Sequence, residues 1–327
     1  MSGGPRISVV IPTYNRVELL ALALESLEKQ TLPPDRYEVV VVDDGSSDTT
    51  GELCRARRTR LPLRYFSQDN SSSAVAKNTG IFVSEAPIVL FFDDDDVADE
   101  NMLKEHLAAH ERFPDEHVAI LSYTTWHPDL EVTPVMDYLV NVGQFLFAYP
   151  SLRKEQSLDF SYFWTGRISC KRKFLTQYGV FTRKMKRVED VELGYRLSQH
   201  GLEIRYWPDA VSYMARPITF EQFCARQEGD GRSLAVFSRL YPVREVLDYC
   251  HVVDVENRWQ AVRPTLESMT RAVAELENLI GSSPREDDQH LLQALWELYR
   301  RSFIAFKLKG VAEGEAVPEA ATAASQC

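Results

Sequence analysis

Residues 7–44, ISVVIPTYNRVELLALALESLEKQTLPPDRYEVVVVDD, decide the fold of this 327-residue chain. The opening ISVVIPT is a mostly apolar run with the length of one buried strand, and YEVVVVDD at 37–44 is a second such run. Between them, leucines recur at helical spacing and predict a helix from about Val17 to Lys29. A strand, a helix and a second strand in this order predict parallel strands joined by a crossover.

The alternation of strands and helices continues along the first half of the chain. A short helix is predicted up to about Arg57, and SAVAKNTGIFVSEA at 73–86 predicts another. Further strands are predicted at 63–68, 87–94 and 117–126. We therefore expect an α/β fold, in which ligands bind beyond the carboxyl ends of the strands.

Composition excludes several classes of function. The net charge of -11 argues against a chain that mainly binds nucleic acid or acidic lipid. The five cysteines are scattered and form no CxxC pair, which predicts free thiols in a reducing compartment, without a disulfide framework or a zinc site. No signal-peptide pattern and no membrane-spanning apolar run occur, so the expected location is cytoplasmic, with peripheral contact at the inner face of the membrane as a variant.

Four consecutive carboxylates follow an apolar strand in FFDDDD at 91–96. Adjacent negative charges repel each other unless a positive charge joins them. Asp93 and Asp95 stand two apart, so a loop can turn both toward one ion, and such hard oxygen ligands suit Mg²⁺ or Mn²⁺ that holds substrate phosphates. The alternative is a solvated acidic loop that caps the next helix. The pattern favours the metal site.

Two further polar stretches close predicted strands. In PTYNR at 12–16, Tyr14 could stack on a base and Arg16 could reach a phosphate, but a tight turn with a packed ring explains the pattern equally well. In VVVVDDGSSD at 39–48, a carboxylate could accept the imide N–H of uracil or thymine. Helix capping is the structural alternative for this acidic pair.

Glu189 and Asp190 fall in the first turn of the helix predicted from VEDVELGYRL at 188–197. Carboxylates at this position commonly complement the helix dipole. In a functional interpretation, Asp190 is a general base that takes a proton from an acceptor hydroxyl, since a helix N-terminus keeps a carboxylate ionised. Composition alone favours the structural interpretation.

His106 and His110 stand four residues apart on another predicted helix, a spacing at which two imidazoles can bind zinc. No third ligand is evident, and we expect both rings to lie on an exposed helical face. The sequence therefore does not favour a zinc site.

Six motifs occur in an order and at a spacing that resemble the family 2 glycosyltransferases. They are PTYNR, VVVVDDGSSD, AKNTG at 76–80, FFDDDD, WTGRIS at 164–169 and VEDVELGYRL. The resemblance covers about residues 6–215. It implies a GT-A fold, in which a nucleotide-binding α/β half and an acceptor-binding half share one continuous sheet. It also implies a metal-dependent, inverting transfer of a sugar from a nucleoside diphosphate.

The resemblance, together with the pattern around Arg16, assigns roles to particular residues. The expected nucleotide-binding residues are Pro12, Thr13, Tyr14, Arg16, Asp44, Lys77, Asp93 and Asp94. Asp93 and Asp95 match the Asp-x-Asp element for the metal, and Asp190 matches the catalytic base. The residues expected to shape the acceptor pocket are Trp164, Gly166 and Glu189. Met214 lies where the family often has a histidine near the metal, and Arg167 where an asparagine is common.

The expected reaction is a single displacement at the anomeric carbon. A divalent cation and Lys77 would offset charge on the departing diphosphate, while Asp190 would remove the acceptor proton. UDP is the expected nucleotide and dTDP the next, because Asp44 would serve either base edge. The acceptor is a hydroxyl of a carbohydrate, a lipid-linked glycan or another molecule, and the sequence does not select among these.

Two other functions remain open from the sequence. An aspartate-nucleophile phosphatase would use Asp93 as the nucleophile and Asp95 as the acid, but its motif normally closes the first strand of its domain. A sugar-nucleotide-binding subunit without catalysis is the second alternative. The presence of Asp190 argues against it, because a site that has lost its function would be expected to lose such residues.

The chain is expected to divide into three regions. They are a catalytic domain at 1–215 (nucleotide part about 6–98, acceptor part about 99–215), a helical extension at 216–310 and a disordered tail at 311–327. The extension contains a helical hairpin whose apolar stripe is expected to pack internally or on a second subunit. RRSFIAFKLKG at 300–310 mixes basic and apolar residues, so contact with an anionic membrane is the alternative.

Overall fold

The computed structural model describes residues 4–147, 149–281, 285 and 288–314. Over these residues the chain forms two compact units. The first unit comprises the chain up to Leu130, Ser151–Arg183 and Glu189–Arg216. The second comprises Glu131–Pro150, Lys184–Val188 and the chain from Pro217 onward.

The described part of the first unit is built on one nine-stranded sheet. In chain order the strands are β1 (Ile7–Thr13), β2 (Tyr37–Asp43), β3 (Leu63–Ser67), β4 (Ile88–Phe92), β5 (Asp96–Ala98), β6 (Val118–Trp126), β7 (Ser157–Leu158), β8 (Arg167–Lys171) and β9 (Glu203–Met214). Their order across the sheet is β3-β2-β1-β4-β8-β6-β9-β5, and β7 pairs with β9. The first four strands are parallel, whereas β8 is antiparallel to both β4 and β6.

The helices lie between these strands and beyond them. In chain order they are α1 (Val17–Glu28), α2 (Thr50–Arg57), α3 (Ser73–Val83), α4 (Met102–Arg112), α5 (Pro134–Asp137), α6 (Arg172–Tyr178), α7 (Glu189–Ser198), α8 (Phe220–Leu240), α9 (Arg244–Cys250), α10 (Val255–Val262), α11 (Leu266–Ile280) and α12 (Gln289–Ala312). The predicted α/β fold is confirmed. Every residue of β2 is buried, as in strands covered on both faces, which explains the unbroken apolar run.

The prediction that His106 and His110 lie on an exposed face was wrong. Both rings are buried, because α4 turns them inward and Ser169 of β8 offers them a hydrogen-bond partner. Ser169 Oγ lies 2.9 Å from His106 Nδ1 and 2.8 Å from His110 Nε2, and Lys171 Nζ lies 2.7 Å from His110 Nδ1. Burial lowers the pKa of His106 to about 3, so its ring is neutral.

The second unit holds a cluster of aromatic rings. Its members are Tyr138, Phe145, Phe220, Phe223, Tyr299 and Phe303. The predicted helical hairpin is present as α11 and α12, and two members of its apolar stripe, Val273 and Ile280, are buried. Phe303, in the 300–310 stretch, has no exposed surface.

The end of the chain is only partly covered by the structure. Of the tail predicted from residue 311, only 311–314 are described, and α12 ends there at Ala312. The remainder of the predicted disordered tail lies outside the described residues. Among the helices that the structure does describe, none is long and apolar enough to cross a membrane.

Helices α8 and α12 touch each other through glycines, which provides a test of the packing. A Cβ at Gly310 would collide with the backbone oxygen of Glu228, whereas a Cβ at Gly229 on α8 would meet only the flexible side chain of Arg187. We expect Gly310→Ala to lower the free energy of unfolding by about 1–3 kcal/mol through overpacking. Urea unfolding of both variants would measure this. Equal stability of Gly310→Ala and Gly229→Ala would contradict the close packing.

Candidate active site

The carboxyl ends of β1, β2 and β4 meet at one edge of the sheet, and the loops that follow them are joined by hydrogen bonds. Asp94, after β4, accepts hydrogen bonds from Thr13 Oγ1 and from Arg16 Nη1, both at 2.9 Å. The backbone N–H of Ser47, after β2, donates to Asn15 Oδ1 at 2.8 Å. The structure therefore brings the PTYNR, DDGSSD and DDDD motifs together, as their positions at strand ends predict.

Asp44 is buried at this edge and is held by three donors. Its carboxylate accepts hydrogen bonds from Gln68 Nε2 at 2.7 Å and from the backbone N–H groups of Ser71 and Ser72 at 3.0 and 2.9 Å. A carboxylate offers about four lone-pair sites, so one further donor can be accepted. The neighbouring Asp43 accepts from Tyr65 and Ser46 and so fixes the loop.

The Tyr14 side chain stands at the open side of the same edge. It is 49% exposed, so its ring is free to stack on a planar ligand. Pro12 is partly exposed beside it, and Thr13 is buried because its hydroxyl serves Asp94. These neighbours have different surroundings, and Tyr14 alone presents a large exposed face.

The two aspartates of the predicted metal pair have different partners. Asp93, 36% exposed, lies 3.7 Å from the Arg167 guanidinium. Asp95, 15% exposed, accepts a hydrogen bond from Arg216 Nε at 2.8 Å, and its Oδ2 lies 3.5 Å from Arg16 Nη1. Each carboxylate therefore has at least one arginine beside it, and these contacts offset part of its negative charge.

Several features test whether these residues fit a divalent cation. Buried Asp96 has one carboxylate oxygen, Oδ1, without a hydrogen-bond partner in the described part of the chain. Burial raises the pKa of Asp96, Arg167 opposes this, and the charges of Asp93 and Asp95 raise it further. A Cβ at position 166 would collide with the Asp93 carboxylate, so Gly166, at φ +103°, gives Asp93 its space.

These features fit a divalent cation for which the protein supplies only some of the ligands. Within the described ranges, no group of three or more His, Cys, Asp or Glu side chains is arranged to hold a metal. Mg²⁺ in enzymes is commonly bound by one or two carboxylates together with substrate phosphates and water. Asp93 and Asp95 fit that kind of site, in which a bound diphosphate completes the coordination.

A second polar cluster surrounds Asp190. Its Oδ2 accepts a hydrogen bond from the backbone N–H of Thr165 at 3.3 Å, and its Oδ1 accepts from Val191 N–H at 2.8 Å. Burial and, after it, the charge of Glu189 together raise the pKa of Asp190 to about 6, against the opposing charge of the nearby Lys77. A partly buried carboxylate with such a pKa is suited to act as a base near neutral pH.

Lys77 occupies the centre of this cluster. Its ammonium is buried and donates to Thr165 Oγ1 at 2.7 Å and to Glu189 Oε1 at 3.0 Å. Burial alone would lower its pKa, but the charges of Glu189, Asp190 and Asp93 outweigh burial and raise it. The sequence predicts Lys77 and Glu189 to contact nucleotide and acceptor, respectively. In the structure they form a buried ion pair.

Trp164 lies in the segment that leads to Thr165. Its indole N–H donates to the backbone oxygen of Ser161 at 2.7 Å, and its ring centroid lies 5.0 Å from that of Tyr162. Both rings are partly exposed. They form an aromatic surface of the kind on which a sugar ring can pack.

Sequence reasoning missed two residues of the site. Thr165 lies within the recognised WTGRIS motif, but nothing in that motif shows that it connects Lys77 with Asp190. Arg216 lies 121 residues from Asp95, and only the pairing of β5 with β9 brings them together. Its sole sequence signal is its place two residues after Met214, where the expected histidine is missing.

Solved structures show the class to which this fold belongs. The mannosyltransferase PcManGT from Pyrobaculum calidifontis matches with a TM-score of 0.63 and 20% identity over 95% of this chain and 86% of that one. Residues 1–349 of TarS from S. aureus match with a TM-score of 0.58 and 19% identity over 93% and 90%. At these identities the likeness shows the fold alone, which is that of the GT-A glycosyltransferases.

The sequence itself shows the family. The chain matches Glycosyl transferase family 2 over residues 8–178, and it belongs to this family. Validoxylamine A glucosyltransferase from Streptomyces hygroscopicus subsp. limoneus is 34% identical over 221 residues, which is 61% of this chain and 49% of that protein. The poly(ribitol-phosphate) beta-N-acetylglucosaminyltransferase TarS from Staphylococcus aureus (strain Mu50) is 37% identical over 114 residues, 34% of this chain and 19% of that protein.

This chain spans about half the length of the validoxylamine A glucosyltransferases that it matches. The family match includes Asp93 and Asp95 but ends before Asp190 and Arg216.

Proposed function

We propose that this chain transfers a sugar from a nucleoside diphosphate to an acceptor hydroxyl and inverts the anomeric carbon. The observation that carries the proposal is that two sites lie in the same compact unit. One is the edge where Asp44, Tyr14 and the Asp93–Asp95 pair meet, and the other is the polar cluster around Asp190. Family membership and the names of the relatives, which describe sugar transfer, support the reaction class.

In the proposed donor site, Asp44 accepts the imide N–H of the base through its remaining lone pair, and Tyr14 stacks on the base. UDP is the first candidate and dTDP the second, because both bases carry this N–H. Arg16, whose side chain is 42% exposed, faces the diphosphate. A TarS structure in complex with UDP-GlcNAc supports UDP, and a PcManGT structure with GDP-Man keeps GDP as an outcome of the test.

Asp93 and Asp95 would hold Mg²⁺ or Mn²⁺. The fit of the two carboxylates supports this, as does the structure of PcManGT in complex with GDP-Man and Mn²⁺. Such a cation supplies positive charge to the leaving diphosphate. Asp94 keeps Thr13 and Arg16 in place rather than contacting the nucleotide directly.

Asp190 takes the acceptor proton on the face opposite the leaving group, and the aromatic surface of Trp164 holds the acceptor. The raised pKa of Asp190 and its place in the second cluster support this role. A base on one face is what an inverting displacement requires.

The test is calorimetric titration of UDP, dTDP, GDP and CDP, each with and without Mn²⁺, into the native chain and Asp95→Ala. We expect one diphosphate to bind more tightly with Mn²⁺, and this gain to disappear in Asp95→Ala. Asp115→Ala, which removes an exposed carboxylate, is the control and should bind like the native chain. If no nucleotide binds under either condition, the proposal is wrong.

Stereochemistry is tested separately with the sugar nucleotide that the titration identifies. The anomeric configuration of the first product, followed by proton NMR, should be opposite to that of the donor. A product with the donor's configuration would exclude the single displacement. Release of phosphate from simple phosphomonoesters would instead support a phosphatase with Asp93 as nucleophile, an alternative that family membership leaves without support.

The wider assignments are also proposals. The catalytic region is taken as residues 1–215 and the helical extension as 216–310, and the chain is expected to act in the cytoplasm on glycan or glycoconjugate synthesis. The proposed acceptor is a carbohydrate, a lipid-linked molecule or another molecule with a hydroxyl group. The proposed partner of the helical extension is a second copy of the chain or a membrane surface. Nucleotide binding with no turnover on any acceptor would instead favour a sugar-nucleotide-binding subunit.

A further inference from the structure

The ion pair between Arg216 and Asp95 is the contact that the proposed function leaves unexplained. Arg216 Nε donates to Asp95 Oδ2 at 2.8 Å, and the same oxygen lies 3.5 Å from Arg16 Nη1. Arg216 is 45% exposed and Asp95 is 15% exposed. An arginine that can reach both solvent and the carboxylate is free to change partner.

The backbone holds Arg216 in this position. The N–H of Ala215 donates to the backbone oxygen of Asp95 at 2.8 Å, and Met214 of β9 is the register partner of Asp96 in β5. The two strands therefore place Arg216 beside Asp95 whatever the rotamer of its side chain. The short distance between Arg216 and Asp95 therefore follows from the strand pairing in the sheet.

Asp95 Oδ2 has two competing uses. It is the carboxylate expected to ligate the divalent cation, and here it is the acceptor for Arg216. A guanidinium and a divalent cation at one oxygen repel each other, so an arriving cation weakens the ion pair. A diphosphate offers the released guanidinium new acceptors, because arginine matches phosphate oxygens in bidentate geometry.

We propose that Arg216 binds the donor diphosphate and, when no diphosphate is present, competes with the divalent cation for Asp95. This rests on the proposed function, since it requires a donor site at Asp93 and Asp95. The consequence is that Arg216 couples the two ligands: the cation frees the arginine, and the arginine then holds the diphosphate. By linkage, each ligand raises the affinity of the other.

The test is Arg216→Met, with two titrations that should move in opposite directions. Without nucleotide, Mn²⁺ measured by the loss of its free-ion EPR signal should bind about two- to fivefold more tightly, the effect of removing a partly exposed ion pair. With saturating Mn²⁺, UDP should bind about tenfold more weakly, the loss of one charge-assisted hydrogen bond. Uridine, which lacks the diphosphate, should bind as it does to the native chain.

Controls separate direct contact from a general change in charge. Arg6→Met removes an arginine from a surface ion pair with Glu111 and should change neither titration. Both effects of Arg216→Met should weaken but stay measurable in about 1 M KCl, where the screening length of about 3 Å is close to the contact distance, whereas an effect over a longer distance should vanish. Arg216→Lys keeps the positive charge but lacks the paired N–H donors of a guanidinium. Its affinities for Mn²⁺ and UDP should lie between those of the native chain and Arg216→Met.

The outcomes distinguish this inference from the proposed function. If the native chain binds UDP with Mn²⁺ but Arg216→Met changes neither titration, the inference is wrong and the donor site stands. If the native chain binds no UDP, the proposed UDP donor is wrong, and so is the proposal that Arg216 binds its diphosphate. Unchanged Mn²⁺ binding in the variant then also rejects the competition for Asp95.

Discussion

Asp190→Asn should lower kcat by about 10²- to 10⁴-fold, the range that a general base commonly contributes. The amide cannot take a proton from the acceptor hydroxyl, but it has nearly the shape of the carboxylate and can keep the hydrogen bond from Thr165. Binding of the nucleotide diphosphate should not change, since its proposed contacts lie at the edge of β1, β2 and β4. Single-turnover assays together with calorimetry would measure both quantities.

The pH dependence gives a second measure of the same residue. The base must be ionised, and the pKa of Asp190 is raised to about 6, chiefly by burial. Activity of the native chain should therefore fall as the pH drops through about 6. Asp129→Asn, at a carboxylate that is 91% exposed, is the matched control and should keep the native profile. Full activity of Asp190→Asn at neutral pH would show that another group takes the proton.

Lys77→Met should cost about 3–5 kcal/mol of unfolding free energy, because it leaves the Glu189 and Asp190 carboxylates in the interior without their positive partner. A carboxyl with a raised pKa in the folded state gives stability that is present at low pH and lost as the pH rises through that pKa. The deficit should therefore be larger at pH 8 than at pH 5. The pH at which activity falls should also move upward, since Lys77 opposes the rise of the Asp190 pKa.

A double variant makes the Lys77 prediction specific. Lys77→Met combined with Glu189→Gln removes one of the unpaired charges, so it should recover part of the stability lost in Lys77→Met alone. Lys29→Met, at an exposed lysine that pairs with Glu25, should change the free energy of unfolding by less than about 0.5 kcal/mol. If the two lysine variants are equally stable, Lys77 does not balance the buried carboxylates.

The edge formed by the carboxyl ends of β1, β2 and β4 could be predicted from the sequence because its parts follow parallel strands. The motifs at 12–16, 43–48 and 93–96 each close a strand, and parallel strands that are neighbours in a sheet end at the same edge. The local patterns therefore suffice to predict that Arg16 and Asp94 lie at the same edge of the sheet. The identity of the hydrogen bonds at Asp44 could not be predicted, because Ser71 and Ser72 reach it from a loop without a motif.

Other parts could not be predicted because tertiary packing decides them. A helical periodicity of His106 and His110 does not reveal that Ser169 of a strand far along the chain will bind both rings. The resemblance predicts that Lys77 lies near the diphosphate, whereas its burial against Glu189 depends on the fold. The sequence pattern thus predicts which side chains lie near each other at the strand ends. Their hydrogen-bond partners depend on strands that pair although they are far apart in the sequence.

The antiparallel pairing of β5 with β9 also has a consequence for folding. Asp95 and Arg216 are 121 residues apart, so this corner of the site closes one of the long loops of the chain. Contacts between distant residues form slowly, because loop entropy is lost before they stabilise the structure. We therefore expect the edge formed by β1, β2 and β4, which lies within the first hundred residues, to form before Arg216 reaches Asp95, which requires that the last strand has joined the sheet.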